Sequence, residues 1–126
     1  MKKIIYSAQA PDPVGPYSQA VMHGNTLYAS GQIAIDPATG ELVDSDIQAE
    51  TEQVLKNLGA VLKAAEMDYE HIVRCTVFVK DMHQYAAINE VYARFFNEET
   101  APARALVQVA ALPKFVNVEI SCIAVK

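Results

Sequence analysis

The sequence has no tryptophan, only two cysteines, and only ten basic residues against fifteen acidic ones. The resulting net charge of −5 lacks the basic surface typical of proteins that bind nucleic-acid phosphates, so no nucleic-acid partner is expected. No apolar run approaches the roughly 20 residues of a membrane span, and the N-terminus lacks the long apolar segment of a signal peptide. We therefore expect a cytoplasmic protein with no membrane partner.

Common site motifs are also missing. The histidines His23, His71 and His83 share no ligand spacing with cysteines or carboxylates, so no metal site is expected. Neither glycine-rich nucleotide motif, G-x-G-x-x-G or G-x-x-x-x-G-K-[ST], occurs, and no Ser-His-Asp or Cys-His set is suggested. Cys75 and Cys122 lie within apolar strand patterns, which predicts two reduced and unreactive core thiols.

The length predicts a single domain covering residues 1–126. Apolar periodicity predicts the order of elements as three strands, a helix, a strand, a helix and two strands. This order is typical of a two-layer α+β domain with both helices on one face of a mostly antiparallel sheet. The strands are expected near 3–6, 18–23, 26–30, 72–79, 101–113 and 116–125, and the helices near 45–66 and 81–96.

Local signals support several of these boundaries. Gly24 and Asn25 form a hairpin signal between the second and third strands. Ser45 with Gln48 resembles a capping box at the start of the first helix. Asp81 is expected to cap the second helix.

Several strands carry apolar residues on both faces. In the last two strands, Leu106, Ile123 and Val125 share faces with Arg104 and Glu119, while the opposite faces carry Val107, Val109, Val118, Ile120 and Cys122. In the fourth strand, Val73, Cys75, Val77 and Val79 are expected on one face. Two helices on one layer would leave the second face of the sheet uncovered, although it too is apolar. A symmetric oligomer is the simplest way to cover it.

Arg104 is the only charged side chain between Ala101 and Pro113, a run that we interpret as a buried strand. A guanidinium cannot be neutralised and is costly to bury alone, so it needs a carboxylate partner from the protein or from a small molecule. Glu119 is equally isolated in the final strand. The two residues are interpreted either as an internal ion pair that fixes strand register or as the core of a site.

Four further residues are candidates for a site. Tyr17 follows Gly15–Pro16, and its hydroxyl could lie at a pocket mouth, although a packing tyrosine in a plain loop fits equally well. Ser30 precedes Gly31, and a small hydroxyl beside glycine permits close approach to the backbone. Asn89 lies in the second helix, where an amide more often caps or bridges than binds.

Together, five segments resemble the Rid family, also called YjgF or UK114, the reactive-intermediate imine deaminases. They are GPYSQA (15–20), ASGQI (29–33), NEVYARFF (89–96), PARALVQVAALP (102–113) and VEI (118–120). The resemblance covers essentially the whole chain. It implies a chorismate-mutase-like fold in a homotrimer, with three sheets forming a central barrel, helices outside and sites in the clefts between subunits.

The resemblance also implies an activity. Family members hydrolyse 2-imino acids such as 2-iminobutanoate and 2-iminopropanoate, or their 2-enamine tautomers, to 2-keto acids and ammonia without a cofactor. In this chain Arg104 would hold the substrate carboxylate, Glu119 would position the attacking water, and Tyr17 would complete the catalytic set. If Arg104 is close, Glu119 should be deprotonated. The positions expected to bind substrate or support the pocket are Ser30, Gly31, Asn89 and Leu106.

One departure from the family pattern concerns Ala105 and Leu106, which stand where many relatives have Ser-Cys. The thiol of that cysteine is therefore missing here, but the backbone N–H and C=O of Leu106 remain for imine binding. Three other interpretations stay open. The chain could be a non-enzymatic small-molecule-binding or regulatory trimer, an endoribonuclease, or a purely structural trimer.

Overall fold

The computed structural model describes all residues from 1 to 126. Its elements follow the predicted order. The strands are β1 (Lys3–Ile5), β2 (Ala20–His23), β3 (Thr26–Gln32), β4 (Ile72–Val79), β5 (Ala103–Gln108) and β6 (Val118–Val125), and the helices are α1 (Ile47–Ala64) and α2 (Tyr85–Tyr92). Three short 3₁₀ turns occupy Tyr69–His71, Met82–Gln84 and Pro113–Phe115.

The six strands form one mixed sheet in the order β1-β2-β3-β6-β4-β5. All neighbouring pairs are antiparallel except β4 and β5, which are parallel and are joined by α2. The α+β class predicted from the sequence is therefore confirmed. The strand order places β4 between the strand that carries Arg104 and the strand that carries Glu119.

Both helices pack on one face of the sheet, where the apolar periodicity of α1 builds the core. Its fully buried side chains meet the inward-facing side chains of β4 and β6. The main contributors from these three elements are Val54, Leu55, Leu58, Val61, Leu62, Val77, Val79, Ile120 and Ala124. No helix is long and apolar enough to cross a membrane.

The helix starts differ in detail from the prediction. Asp46, not Ser45, is the N-cap of α1, and its Oδ1 accepts a hydrogen bond from the backbone N–H of Ala49 at 2.7 Å. Asp81 caps the short Met82–Gln84 turn, whereas α2 begins without a side-chain cap. The predicted hairpin between β2 and β3 is confirmed, with Gly24 at a φ of 59° that favours glycine.

The fourth strand contains an irregularity that the alternation pattern did not reveal. The register between β4 and β6 shifts between Ile72 and Arg74. Ile72 is therefore buried with Cys75, while Val73 is 48% exposed. The prediction that Val73 shares the buried face is wrong, because the shift interrupts the alternation before Cys75.

The strand that carries Arg104 is not buried in the protomer. β5 is an edge strand, and all six of its residues are exposed or half-buried. The sheet face opposite the helices is also open. Tyr28, Val107 and Val125 are exposed there, and Phe78 and Ile123 are half-buried. The protomer thus leaves an apolar face and one sheet edge uncovered.

Candidate functional site

Arg104 lies on the helix-covered face of the sheet, aligned with the buried Cys75 of β4. Its Nη1 donates a hydrogen bond to Oδ1 of Asn89 at 2.9 Å, and its Nη2 donates to the hydroxyl of Tyr85 at 3.1 Å. The guanidinium carbon is 4.7 Å from the ring centroid of Tyr92. We call these four residues, Tyr85, Asn89, Tyr92 and Arg104, the arginine cradle.

The cradle follows from the geometry of α2. Positions 85, 89 and 92 are separated by four and three residues, so their side chains lie on one helical face towards β5. Sequence reasoning identified Asn89 but took Tyr85 and Tyr92 only as members of the apolar side. The sequence did contain a signal for the cradle, because Tyr85 and Tyr92 lie at helical spacing from Asn89. All three partners are neutral, and no carboxylate lies within 4.0 Å of Arg104, so the guanidinium charge is unpaired.

Glu119 lies on the opposite face of the sheet. It is aligned with the half-buried Phe78 of β4, and it alternates with the buried Val118 and Ile120 of its own strand. Burial raises the pKa of the Glu119 carboxyl above its usual 4.5. Within the protomer Arg104 does not lie close to Glu119. The expectation that a close Arg104 keeps Glu119 deprotonated therefore stays a prediction.

Gly31 explains how the Glu119 carboxylate fits against β3. A Cβ atom built at position 31 would overlap the carboxylate of Glu119. The backbone of β3 also departs from regular pairing with β6 between Ala29 and Gln32, around this position. A side chain at position 31 would thus displace the carboxylate, and glycine is the residue that admits it.

A cavity of about 470 Å³ opens beside this contact. Its lining includes Tyr17, Ser30, Gly31 and Glu119, the charged residues Asp12 and Lys114, and apolar residues of the N-terminal loop and of the segment after β3. Ser30 turns its hydroxyl away from free solvent and donates a 2.6 Å hydrogen bond to the carbonyl of Ser18. We call this cavity the glutamate pocket.

The wall of the pocket that carries Tyr17 is held by a buried glutamine that sequence reasoning did not single out. Gln19 accepts a 2.6 Å hydrogen bond from the N–H of Ser7, and its Nε2 donates to the carbonyls of Ser7 and Pro11 at 3.0 and 2.9 Å. Tyr17 itself is 52% exposed, and its hydroxyl accepts a long 3.4 Å bond from the N–H of Val14. The phenol thus lies at the pocket mouth, and its O–H donates no hydrogen bond within the protomer.

The structure therefore divides the predicted site residues into two groups. Tyr17, Ser30, Gly31 and Glu119 meet in the glutamate pocket. Asn89 and Arg104 meet in the arginine cradle, and Leu106 lies on the same face of β5, packed against the core.

Arg104 and Glu119 do not come together within one chain. They lie on opposite faces of the sheet, on strands separated by β4. The interpretation of an internal Arg104–Glu119 ion pair is wrong for the protomer, because strand parity cannot reveal which strand lies between two others.

The two thiols lie on the core side of the sheet. Cys75 and Cys122 are both free, buried, and aligned across β4 and β6. Burial raises the pKa of both thiols, that of Cys122 to about 12. No group of three or more histidine, cysteine, aspartate or glutamate residues is placed to hold a metal ion.

Comparison with known proteins shows the family to which the chain is similar. Residues 7–126 match the family model described as Endoribonuclease L-PSP. The chain is 52% identical over 124 residues to the RutC family protein slr0709 of Synechocystis, covering 98% of this chain and 95% of the relative. It is 47% identical to the 2-iminobutanoate/2-iminopropanoate deaminase of Capra hircus, covering 100% and 91%.

Similarity extends to solved structures. The crystal structure of Escherichia coli TdcF with bound serine is 44% identical, with a TM-score of 0.93 and coverage of 98% of each chain. Sequence motifs, family model and fold thus agree over nearly the whole length of the protein. The chain belongs to the Endoribonuclease L-PSP family, the Rid (YjgF/UK114) family that its motifs had indicated.

Proposed function

We propose that the protein hydrolyses 2-imino acids, and their 2-enamine tautomers, to 2-keto acids and ammonia without a cofactor. The observation that carries this proposal is an unpaired arginine held by neutral groups and a half-buried glutamate at a cavity, each on residues that match the family motifs. Mammalian relatives named 2-iminobutanoate/2-iminopropanoate deaminase support the same chemistry.

Arg104 is proposed to bind the substrate carboxylate. Two of its N–H groups are used by Asn89 and Tyr85, and the remaining donors of the planar fork are free for a carboxylate. Neutral partners orient the guanidinium without cancelling its charge. The serine bound to the related TdcF is itself a small molecule with a carboxylate.

Glu119 is proposed to act on the attacking water. Water adds to the electrophilic carbon of the protonated C=N bond, and the carboxylate takes a proton from that water to leave a neutral carbinolamine. The carboxyl then gives this proton to the carbinolamine nitrogen and the C–N bond breaks to release ammonia. As the keto group forms, the proton of the carbinolamine hydroxyl passes through the carboxylate to the released ammonia. Tyr17, at the pocket mouth, could donate a hydrogen bond to the substrate or the water. A positioned general base of this kind contributes roughly 10²–10⁴-fold.

The complete site is proposed to form between protomers. One chain holds the arginine cradle and the glutamate pocket on opposite faces of its sheet, so an imino acid a few ångströms long cannot contact both. If the cradle of one protomer meets the pocket of the next, the contacts close into a ring. The uncovered apolar face, which includes Tyr28 and Val107, would be buried in that ring, and the family resemblance sets the ring at three chains.

Mixed oligomers test this division directly. Arg104→Ala and Glu119→Gln should each be inactive alone. After co-expression in equal amounts, some sites pair an intact cradle with an intact pocket, and random mixing should restore roughly one quarter of parental activity. The assay follows ammonia and keto-acid release from freshly generated 2-iminobutanoate, and light scattering should return the mass of three chains.

Two outcomes would contradict the proposal. If mixed oligomers of confirmed composition recover no activity, Arg104 and Glu119 either act in a site within one chain or take no part in the reaction. A monomer mass at micromolar concentration would remove the shared site altogether.

A regulatory, non-enzymatic trimer is the alternative that the bound serine in TdcF also favours. Such a protein would need Arg104 for carboxylate binding, but Glu119 would be dispensable. Ligand binding without turnover in the parent chain would identify it. The family model's description as an endoribonuclease is tested in parallel with RNA, although the net charge of −5 weighs against that activity.

A further inference from the structure

A second glutamate, Glu50, is almost completely buried in the first turn of α1. It has no cation within 4.0 Å. Burying a carboxylate is costly unless hydrogen bonds replace its lost hydration. This cost indicates that Glu50 has a specific task, because an apolar residue would suit a core position better.

All hydrogen bonds that the Glu50 carboxylate accepts come from the two residues that precede Glu119. Its Oε2 accepts from the backbone N–H of Asn117 at 2.8 Å and from that of Val118 at 3.2 Å. Its Oε1 accepts from the side-chain amide of Asn117 at 2.8 Å. The carboxylate thus holds two consecutive peptide groups at the point where β6 begins.

The same peptide is fixed from its other side. The carbonyl of Asn117 accepts a 2.9 Å hydrogen bond from the N–H of Lys80, at the end of β4. The chain then has little freedom where it enters β6. This matters because the preceding turn places Lys114 and Phe115 at φ values of 54° and 55°, a left-handed conformation that non-glycine residues adopt only under restraint.

The position of Glu119 leaves little tolerance for movement. Its carboxylate lies directly against the backbone of Gly31, where even a Cβ atom would not fit. A small shift at the start of β6 would therefore move the carboxylate relative to the glutamate pocket. Misplacement by about 1 Å from a remote change can reduce a rate about 100-fold.

We propose that Glu50 is a positioning residue for Glu119, acting through Asn117 and Val118. This inference rests on the proposed function for its kinetic consequence, but its structural content can be tested separately. Glu50 does not touch the glutamate pocket, whose lining it does not join. Its effect is expected on the placement of the base, and not on the binding of the substrate carboxylate at Arg104.

Two variants with a matched control separate positioning from simple stability. Glu50→Gln removes the charge and replaces one acceptor oxygen with an NH₂ group, so either the backbone bonds are lost or the side-chain amide of Asn117 has to turn over. Asn117→Ala removes one hydrogen bond and keeps both backbone bonds. Thr51→Val is the control, because Thr51 is equally buried beside Glu50 but its hydroxyl donates only to the carbonyl of Ile47, within α1.

The expected kinetic result is a loss of kcat with little change in KM. Glu50→Gln should lower kcat for 2-iminobutanoate between about 10- and 100-fold, and Asn117→Ala should lower it less, in the same direction. Thr51→Val should keep parental kcat even if its Tm falls equally. If Glu50→Gln does not fold, Asn117→Ala carries the test, because it leaves the carboxylate and its backbone bonds in place.

The proposal is overturned if both variants keep parental kcat at a lowered Tm, since Glu50 would then serve stability alone. If the parent chain does not hydrolyse imines, the proposed function is wrong. The positioning role of Glu50 can still be tested by NMR, from the chemical shift of the Glu119 carboxyl ¹³C resonance. That resonance should shift in Glu50→Gln and Asn117→Ala and stay unchanged in Thr51→Val. An unchanged resonance in both variants would remove the link between Glu50 and Glu119.

Discussion

The guanidinium carbon of Arg104 lies 4.7 Å from the centre of the Tyr92 ring. A contact of this kind contributes about 0.5–2 kcal/mol and orients a cation without neutralising it. The hydrogen bonds to Asn89 and Tyr85 then fix the rotation of the guanidinium plane. The side chain is thus held ready for an anion by groups that leave its charge intact.

Arg104→Ala and Arg104→Lys should both abolish deamination and leave the oligomer folded. Lysine keeps the charge but cannot contact Asn89, Tyr85 and a carboxylate with one planar fork. Steady-state rates with 2-iminobutanoate, with light scattering as the folding control, measure the effect. Parental activity in Arg104→Lys would remove the carboxylate-binding role.

Glu119→Gln should keep keto-acid binding and lose turnover by roughly 10²–10⁴-fold, because the amide cannot take a proton from water. Calorimetric titration with 2-ketobutanoate and the deamination assay report the two properties separately. Glu98→Gln, at an exposed residue that does not line the pocket, is the matched control. Collapse of binding with unchanged turnover would make Glu119 a structural residue.

Gly31→Ala should inactivate the protein without unfolding it. The added Cβ overlaps the end of a flexible side chain, Glu119, so the carboxylate moves before the backbone does. We expect turnover to fall sharply while Tm changes little. Parental turnover in this variant would show that the observed position of the Glu119 carboxylate is not the one that acts.

The pH dependence follows from the burial of Glu119, which raises its pKa above 4.5. Only the deprotonated carboxylate can take a proton, so kcat should fall on acidification with a midpoint above 4.5. The free energy of unfolding is expected to change in the opposite direction, because acidification lowers kcat but raises the contribution of Glu119 to stability. Protonation of a group with a raised folded pKa favours the folded state, and this contribution is lost as pH rises through that pKa.

Glu119→Gln should therefore gain stability over the parent chain as the pH rises from below 4.5 towards neutrality. Thermal unfolding of both proteins across that range measures the difference. A kcat midpoint at or below 4.5 would show that a positive charge at the pocket, from Lys114 or from a neighbouring protomer, outweighs burial.

Thiol alkylation of the native protein should leave activity intact. Cys75 and Cys122 are buried on the core face, and burial raises the pKa of both thiols. The same reagent should label both thiols after denaturation, as mass spectrometry would detect. Strong inactivation of native protein would place a thiol near the chemistry.

Much of the fold could be predicted because it depends on local periodicity. The order of elements, the β2–β3 hairpin and the apolar face of α1 all follow from residue spacing. The errors arose where neighbouring candidates compete or where pairing is non-local. Ser45 and Asp46 are adjacent capping residues, and only the first turn decides between them. The exposure of Val73 depends on a register shift against β6.

The residues of the candidate site could be predicted from the sequence, but their separation into the arginine cradle and the glutamate pocket could not. The sequence indicated Arg104 and Glu119, yet their separation depends on β4 lying between their strands, which no local pattern encodes. Supporting residues were harder to recognise. Tyr92 resembles an ordinary core aromatic, and Gln19 and Glu50 reveal their roles only through hydrogen bonds to distant backbone.

The position of β6 at the centre of the sheet has a consequence for synthesis. It follows β1 to β5 in the sequence, yet it is the only one of the six that joins β1-β2-β3 to β4-β5. Until it pairs, the nascent chain holds two separate pieces of sheet. The arginine cradle forms from nearby residues within the second piece, whereas the glutamate pocket has to wait for residues from both ends of the chain. The residue proposed as the base therefore takes its place in the pocket only when β6 joins the two pieces of the sheet.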